Sequence, residues 1–143
     1  MRLLCFQARR FGWRSFERTL EEVGGEPLAT QDVSEELSDC VVVFAHAEAA
    51  DEPASARKRA FQHTLKHVKW LCNKRSLKNV VLHSFTHLGA VSAAPAFARD
   101  FLDELAERLE RTGYRVRCTP FGHLCEWTLD VHGESLAKDY KQI

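Results

Sequence analysis

The sequence predicts an α+β protein in which two main amphipathic helices cover one mixed β-sheet. Apolar residues recur at helical spacing in two stretches, Phe61 to Cys72 and Phe97 to Leu109. Short β-branched or alternating runs precede, separate and follow them, giving the order strand, uncertain element, strand, helix, strand, helix, strand, strand. A chain of 143 residues is long enough for one buried core, so residues 1–143 are expected to form a single domain.

Arg2 to Phe6 is a short apolar run that reads as a strand. Phe11 to Val23 is ambiguous, because Phe11 and Trp13 alternate as on a strand while Phe16, Leu20 and Val23 fit a helix face. Gly24-Gly25 breaks that element, and Glu26 to Asp39 has loop character. Cys40 to Glu48 is β-branched and reads as a buried strand. Pro53 suits a helix start, and Phe61, Leu65, Val68 and Cys72 then stack one stripe on a helix ending near Asn73. Asn79 to Ser84 is a strand. Pro95 opens a second helix whose stripe is Phe97, Phe101, Leu105 and Leu109, with Glu104–Arg108 and Glu107–Arg111 at ion-pair spacing and Gly113 as a cap. Tyr114 to Cys118 and Cys125 to Val131 alternate around a Pro120-Phe121-Gly122 turn, and a short polar tail follows.

Composition narrows the class. The longest apolar runs are far below the roughly 18 residues of a membrane span, and the amino terminus turns polar at Gln7 and basic at Arg9, unlike a secretion signal. Five cysteines without a CxxC spacing argue against a disulfide framework and fit a reducing cytoplasm. Twenty basic and twenty acidic residues cancel, yet no Asp or Glu occurs between Pro53 and Arg99, where Lys66, Lys69, Lys74 and Arg75 are found. Such a basic middle suits a polyanion such as nucleic acid; equally, it is a solvated helix face paired with the acidic second helix.

Reactive side chains gather in two stretches at strand ends, Leu82-His83-Ser84-Phe85-Thr86-His87-Leu88 and Thr119-Pro120-Phe121-Gly122-His123-Leu124-Cys125. His83 and His87 are four apart without the Glu of an HExxH helix, so a zinc site needs a third ligand from His123 or Cys125. Cys125 beside a histidine has the makings of a nucleophile; the plainer reading is a small core residue. Gly122 is a turn residue, or a place where backbone N–H groups approach a ligand closely.

The run Val81 to Leu88, then Ala93-Ala94-Pro95, the helix to Gly113-Tyr114, Thr119-Pro120-Phe121-Gly122, and His132-Gly133 through Leu136-Ala137 resemble the editing domain at the amino end of archaeal threonyl-tRNA synthetases. The match is clearest over 79–138. The resemblance implies a curved sheet of the D-aminoacyl-tRNA deacylase-like fold, frequent dimerisation, and hydrolysis of serine wrongly esterified to threonine tRNA, since a site built for threonine does not exclude serine by binding alone. It places His87 on the family's histidine and gives it the aminoacyl end to bind or orient. Two family groups are replaced: Cys125 stands for a lysine three residues beyond Gly122, and Lys138 for a glutamate.

The resemblance thus implies a freestanding deacylase, or a piece of a larger protein, with His87 as a catalytic candidate; Cys125 joins it from its own chemistry, and its replacement of the family's lysine implies either a changed specificity or lost hydrolysis. Ala47, Thr86, Phe121, Gly122, His123 and Lys138 are substrate-binding candidates, and Lys66, Lys69, Lys74 and Arg75 candidates for tRNA. Expected partners are a tRNA acceptor end, a threonyl-tRNA synthetase and a second copy of the chain, with no membrane, cofactor or metal. The alternatives are a catalytically silent tRNA- or synthetase-binding domain and a zinc- or thiol-dependent hydrolase of small esters.

Overall fold

The computed structural model describes residues 1–89 and 91–143. In chain order the elements are β1 (Arg2–Arg18), β2 (Glu22–Val23), β3 (Glu26–Pro27), β4 (Ser34–His46), α1 (Ala54–Lys74), β5 (Asn79–Ser84), α2 (Pro95–Glu110), β6 (Arg115–Cys118), β7 (His123–Val131) and β8 (Lys138–Gln142). The main sheet has the order β6-β5-β4-β1-β7, with β8 also paired to β1; β2 and β3 form a separate hairpin at Gly24-Gly25.

β4, β5 and β6 are parallel neighbours, so the chain must return along α1 and then α2 between them. Two right-handed crossovers moving the same way across a sheet place both helices on one face. Their apolar stripes close a core there, in which Val68, Leu71, Phe101 and Leu105 meet Val43 and Leu82. The alternate residues Val42, Phe44 and Val81 point to the opposite face and join a second cluster with Phe11 and Trp13. Strands buried on both faces need apolar residues at every position, hence the unbroken run from Cys40.

The ambiguous stretch Phe11 to Val23 continues the first strand as far as Arg18, and its end, Glu22–Val23, is the separate strand β2. β1 pairs antiparallel with β4 from Arg2 to Arg14. At Arg9 and Asp39 the pattern turns over: Asp39 takes the left-handed φ of 47°, and the pairing with β7 slips between Ala8 and Arg10. The second-face residues therefore change parity, from Leu4, Phe6 and Ala8 to Phe11 and Trp13. An irregularity of this kind breaks period-two alternation and imitates a helical spacing.

Three further expectations change. Ser34 to Asp39 is the first part of β4, its exposed acids lying opposite Arg10 to Arg14. The polar tail is β8, with Tyr140 opposite Leu4. Glu104 pairs with Arg57 of α1 at 2.7 Å rather than with Arg108. The apolar stripe turned both helices toward each other, and Arg57 lies across the gap. At the head of β1 the Met1 ammonium is buried between Glu48 (3.0 Å) and Asp51 (2.7 Å). Burial alone would raise the Glu48 carboxyl, but that ammonium and Arg2 hold it below its ordinary range. Among the described residues no helix is long and apolar enough to cross a membrane.

Candidate functional site

Parallel strands with helices on one side leave a crevice beyond their carboxyl ends, where the chain turns away from the sheet. A cavity of about 380 Å³ lies there. Ala45 at the end of β4 and His83 and Ser84 at the end of β5 make its floor. The loop after β5 supplies Phe85, Thr86 and His87, and the turn into β7 supplies Pro120 to Cys125. The two strand-end motifs thus form opposite parts of one wall, although they are far apart in sequence. Pro95, at the first turn of α2, closes another side, and Trp127 of β7 contributes a half-exposed indole.

His87 is exposed, with its ring edge-on to Phe85 at 5.2 Å between centroids. Cys125 shares the cavity with it. Burial pushes the Cys125 thiol up, so it stays protonated at neutral pH. Ala47, Thr86, Phe121, Gly122 and His123 also line the cavity.

His123 has both ring nitrogens engaged, and His83 has one. The His123 Nδ1–H donates to the Phe121 carbonyl at 2.9 Å, and Nε2 accepts the Gln31 backbone N–H at 3.1 Å. A backbone donor on one nitrogen and a backbone acceptor on the other fix the neutral tautomer, so His123 shapes the turn and has no nitrogen left for ligand or metal. His83 Nδ1 lies 2.8 Å from Thr119 Oγ1, and burial pulls its pKa down to about 4. Among the described residues no group of three His, Cys, Asp or Glu side chains is placed to hold a metal.

Gly122 is favoured chiefly by its backbone conformation, and a side chain there would also have to push Leu28 aside. Its φ is +70°, and a Cβ there would stand 2.6 Å from Leu28 Cδ2. Its carbonyl accepts from the backbone N–H groups of Thr19 (2.7 Å) and Leu20 (3.3 Å), tying the turn to the end of β1.

The other candidates lie elsewhere. Lys138 begins β8 and its Nζ donates to the Gly133 carbonyl at 3.2 Å; it does not line the cavity and supplies no ammonium there. Lys66, Lys69 and Lys74 sit in the carboxyl-terminal half of α1, and Arg75 just beyond it. α1 starts on the cavity side and runs back to the head of β5, about 30 Å away at 1.5 Å per residue. Lys74 lies over the Trp70 ring at 5.6 Å, and Arg75 is paired with Glu134 at 2.8 Å. The basic surface and the cavity are therefore separate features.

Among the described residues the cavity wall holds no Lys, Arg, Asp or Glu. It offers hydroxyls, an exposed imidazole and aromatic faces. Such a wall suits a small polar ligand held by hydrogen bonds. Sequence reading missed one pair at this wall, His46 and Ser92, whose side chains meet at 2.9 Å. An isolated bridge between Glu48 and Ser92 brings them together, and nothing in the local patterns of either segment signals it.

The profile of the archaea-specific editing domain of threonyl-tRNA synthetase matches residues 1–143. The threonine--tRNA ligase of Staphylothermus marinus is 25% identical over 144 residues, covering 100% of this chain and 22% of that protein. Those of Thermococcus onnurineus (25%) and Methanopyrus kandleri (26%) match over 138 residues, 96% of this chain and 21% of theirs. The chain thus spans about one fifth of the length of these relatives. Among solved structures it is similar to the c-Myc DNA unwinding element binding protein, with a TM-score of 0.66 at 13% identity, covering 100% of this chain and 99% of that one. That likeness shows the fold, which is the curved, D-aminoacyl-tRNA deacylase-like one.

Proposed function

The chain belongs to the archaea-specific editing-domain family of threonyl-tRNA synthetase, and from that premise we propose that it is a cytoplasmic aminoacyl-tRNA deacylase acting in trans on mischarged tRNA, with a seryl ester on a threonine tRNA as the substrate class. The observation that carries the reading is the cavity itself. Two motifs that resemble the family's converge on a space large enough for an aminoacyl group and the sugar that carries it, with His87, Gly122, Phe121 and Cys125 among its lining residues. Water attacks the ester carbonyl, the bond to the ribose oxygen breaks, and free amino acid and tRNA leave. His87 orients the aminoacyl end, and Thr86 and Ala47 pack around it. The protonated Cys125 serves as a small, weakly polar wall where the family has a lysine, and His123 holds the turn.

In this reading Lys66, Lys69, Lys74 and Arg75 bind the body of the tRNA, while the acceptor end enters the cavity. A second copy of the chain is the expected partner of the exposed Trp127 and Leu124, and a threonyl-tRNA synthetase is the source of the mischarged substrate. The test is release of free serine from seryl-tRNA, compared with His87→Ala and Cys125→Ala. Absence of hydrolysis across a panel of aminoacyl-tRNAs overturns the reading, and sedimentation of the purified chain as a monomer removes the dimer.

One observation favours a second reading, a catalytically silent domain that binds tRNA or a synthetase. The wall carries neither lysine nor carboxylate among the described residues, so the charged groups the resemblance assigns to substrate and water are not there. Salt-sensitive tRNA binding without turnover identifies this case.

A further inference from the structure

Ser92 lines the cavity and is exposed to it, while His46, 2.9 Å from its hydroxyl, is wholly buried. Both are held by backbone. Ala93 N–H donates to the Ala47 carbonyl at 2.9 Å and Ala49 N–H to the Val91 carbonyl at 3.3 Å, so the segment carrying Ser92 is laced to the end of β4. Gly89 comes close to the His46 ring, near enough that a Cβ there would lie 3.1 Å from its Cε1. The other ring nitrogen, Nδ1, is buried and has no hydrogen-bond partner among the described residues.

That orphan decides which way the pair is polarised. A buried N–H without an acceptor costs more than a buried lone pair without a donor, so the ring carries its proton on Nε2 and donates to Ser92 Oγ. The groups around the ring agree. Burial lowers its pKa, and Arg2, the Met1 ammonium and His87 act in the same direction against the opposing Glu48 carboxylate, so no second proton resides on it. With one lone pair occupied by His46, the Ser92 hydroxyl keeps its own proton free for the cavity.

From this geometry we infer that Ser92 is a hydrogen-bond donor to the carbonyl oxygen of an acyl ester in the cavity, and that His46 is the positioning residue that fixes its direction. The inference rests on the deacylase reading and adds to it a group that stabilises the developing negative charge on that oxygen, of the kind usually supplied by an oxyanion hole. No covalent step is involved: Ser92 polarised by an N–H donor is a poor nucleophile, and the attacking group remains water.

The probe is a non-hydrolysable adenosine carrying serine in amide linkage at its 3′ position, titrated calorimetrically against the full chain. Ser92→Ala is expected to weaken binding about tenfold, the effect of one hydrogen bond. His46→Leu is expected to weaken it less, and the double variant to match Ser92→Ala alone, because His46 acts only through Ser92. His46→Gln, which restores a donor, is expected to recover most of the loss and guards against a misfolded His46→Leu. Unchanged binding by Ser92→Ala overturns this inference and leaves the deacylase reading standing. Serine attached to Ser92, found by mass spectrometry after incubation with seryl-tRNA, also overturns it, since it requires the opposite tautomer. No binding of the analogue by the unaltered protein overturns both.

Discussion

His83 Nδ1 lies 2.8 Å from Thr119 Oγ1, joining the end of β5 to the loop that follows β6. Its ring stands edge-on to Phe44 at 5.1 Å. The bond fixes one strand-end motif against the other, so the shape of the cavity depends on an imidazole that burial keeps neutral.

The pH dependence follows from that neutrality. Burial lowers the folded pKa of His83 from 6.5 to about 4. The unfolded chain therefore takes up a proton that the folded one refuses, and the contribution to stability is fully present above pH 6.5 and lost as pH falls toward 4. The shift corresponds to about 3 kcal/mol at most. Urea denaturation from pH 7.5 to 4 is expected to show a loss of stability on this limb that is much smaller in His83→Phe. An equally steep limb in that variant refutes the assignment. Thr119→Val, which removes the bond and leaves the ring, is expected to cost about 1 kcal/mol at pH 7.

Gly122 gives a sharper stability prediction. Gly122→Ala meets two penalties, a side chain at φ +70° and a Cβ 2.6 Å from Leu28 Cδ2. The expected cost is about 2 to 4 kcal/mol, from left-handed strain plus overpacking. Adding Leu28→Ala relieves the collision and leaves the strain, so the double variant loses less than the sum of the two single changes. Chemical denaturation of the four proteins measures this; additive losses contradict it.

The difference between what was legible and what was not lies in how local each signal is. α1 and α2 declare themselves because Phe61 to Cys72 and Phe97 to Leu109 repeat over three or more turns. β1 does not, because irregularities at Arg9 and between Ser15 and Glu17 break its alternation, and Leu20 and Val23, which completed the helical spacing, lie beyond its end. β8 and the first part of β4 are polar edges whose strand character comes from pairing with β1 rather than from their own residues. The two cavity motifs were readable because each follows or opens a strand with histidine and small residues. The His46–Ser92 pair was not, since it depends on a bridge between segments 44 residues apart, Glu48 with Ser92. The separation of Lys74 and Arg75 from the cavity was hidden for a similar reason: charge is visible in a sequence, and which end of a helix faces a site is not.

Cys125 bears on mechanism directly. A thiol whose pKa burial has raised exposes little thiolate at pH 7, and the thiolate is the reactive form. Cys125→Ser is therefore expected to retain seryl-tRNA hydrolysis within about threefold, whereas loss of a true nucleophile costs several orders of magnitude. The rate of alkylation of Cys125 by iodoacetamide, followed by peptide mass spectrometry, is expected to keep rising with pH beyond the ~8.5 of a free thiol. An abolished reaction in Cys125→Ser, or alkylation already at its plateau at pH 8, restores the nucleophile.

The basic half of α1 makes a prediction about tRNA that is separable from chemistry. Lys66 and Lys74 are exposed, Lys69 is half-buried, and none of the three enters an ion pair among the described residues. Because none lines the cavity either, reversing all three to glutamate is expected to weaken tRNA binding by a factor of ten or more at about 50 mM salt, since fewer phosphates are then neutralised. The affinity of the small adenosine analogue, which reaches only the cavity, is expected to stay unchanged. The slope of log affinity against log salt is expected to flatten by about 0.9 for each phosphate that no longer has a lysine beside it. Equal weakening of tRNA and analogue means that the substitutions disturbed the fold, and an unaltered tRNA affinity and salt slope means that the nucleic acid does not run along this helix.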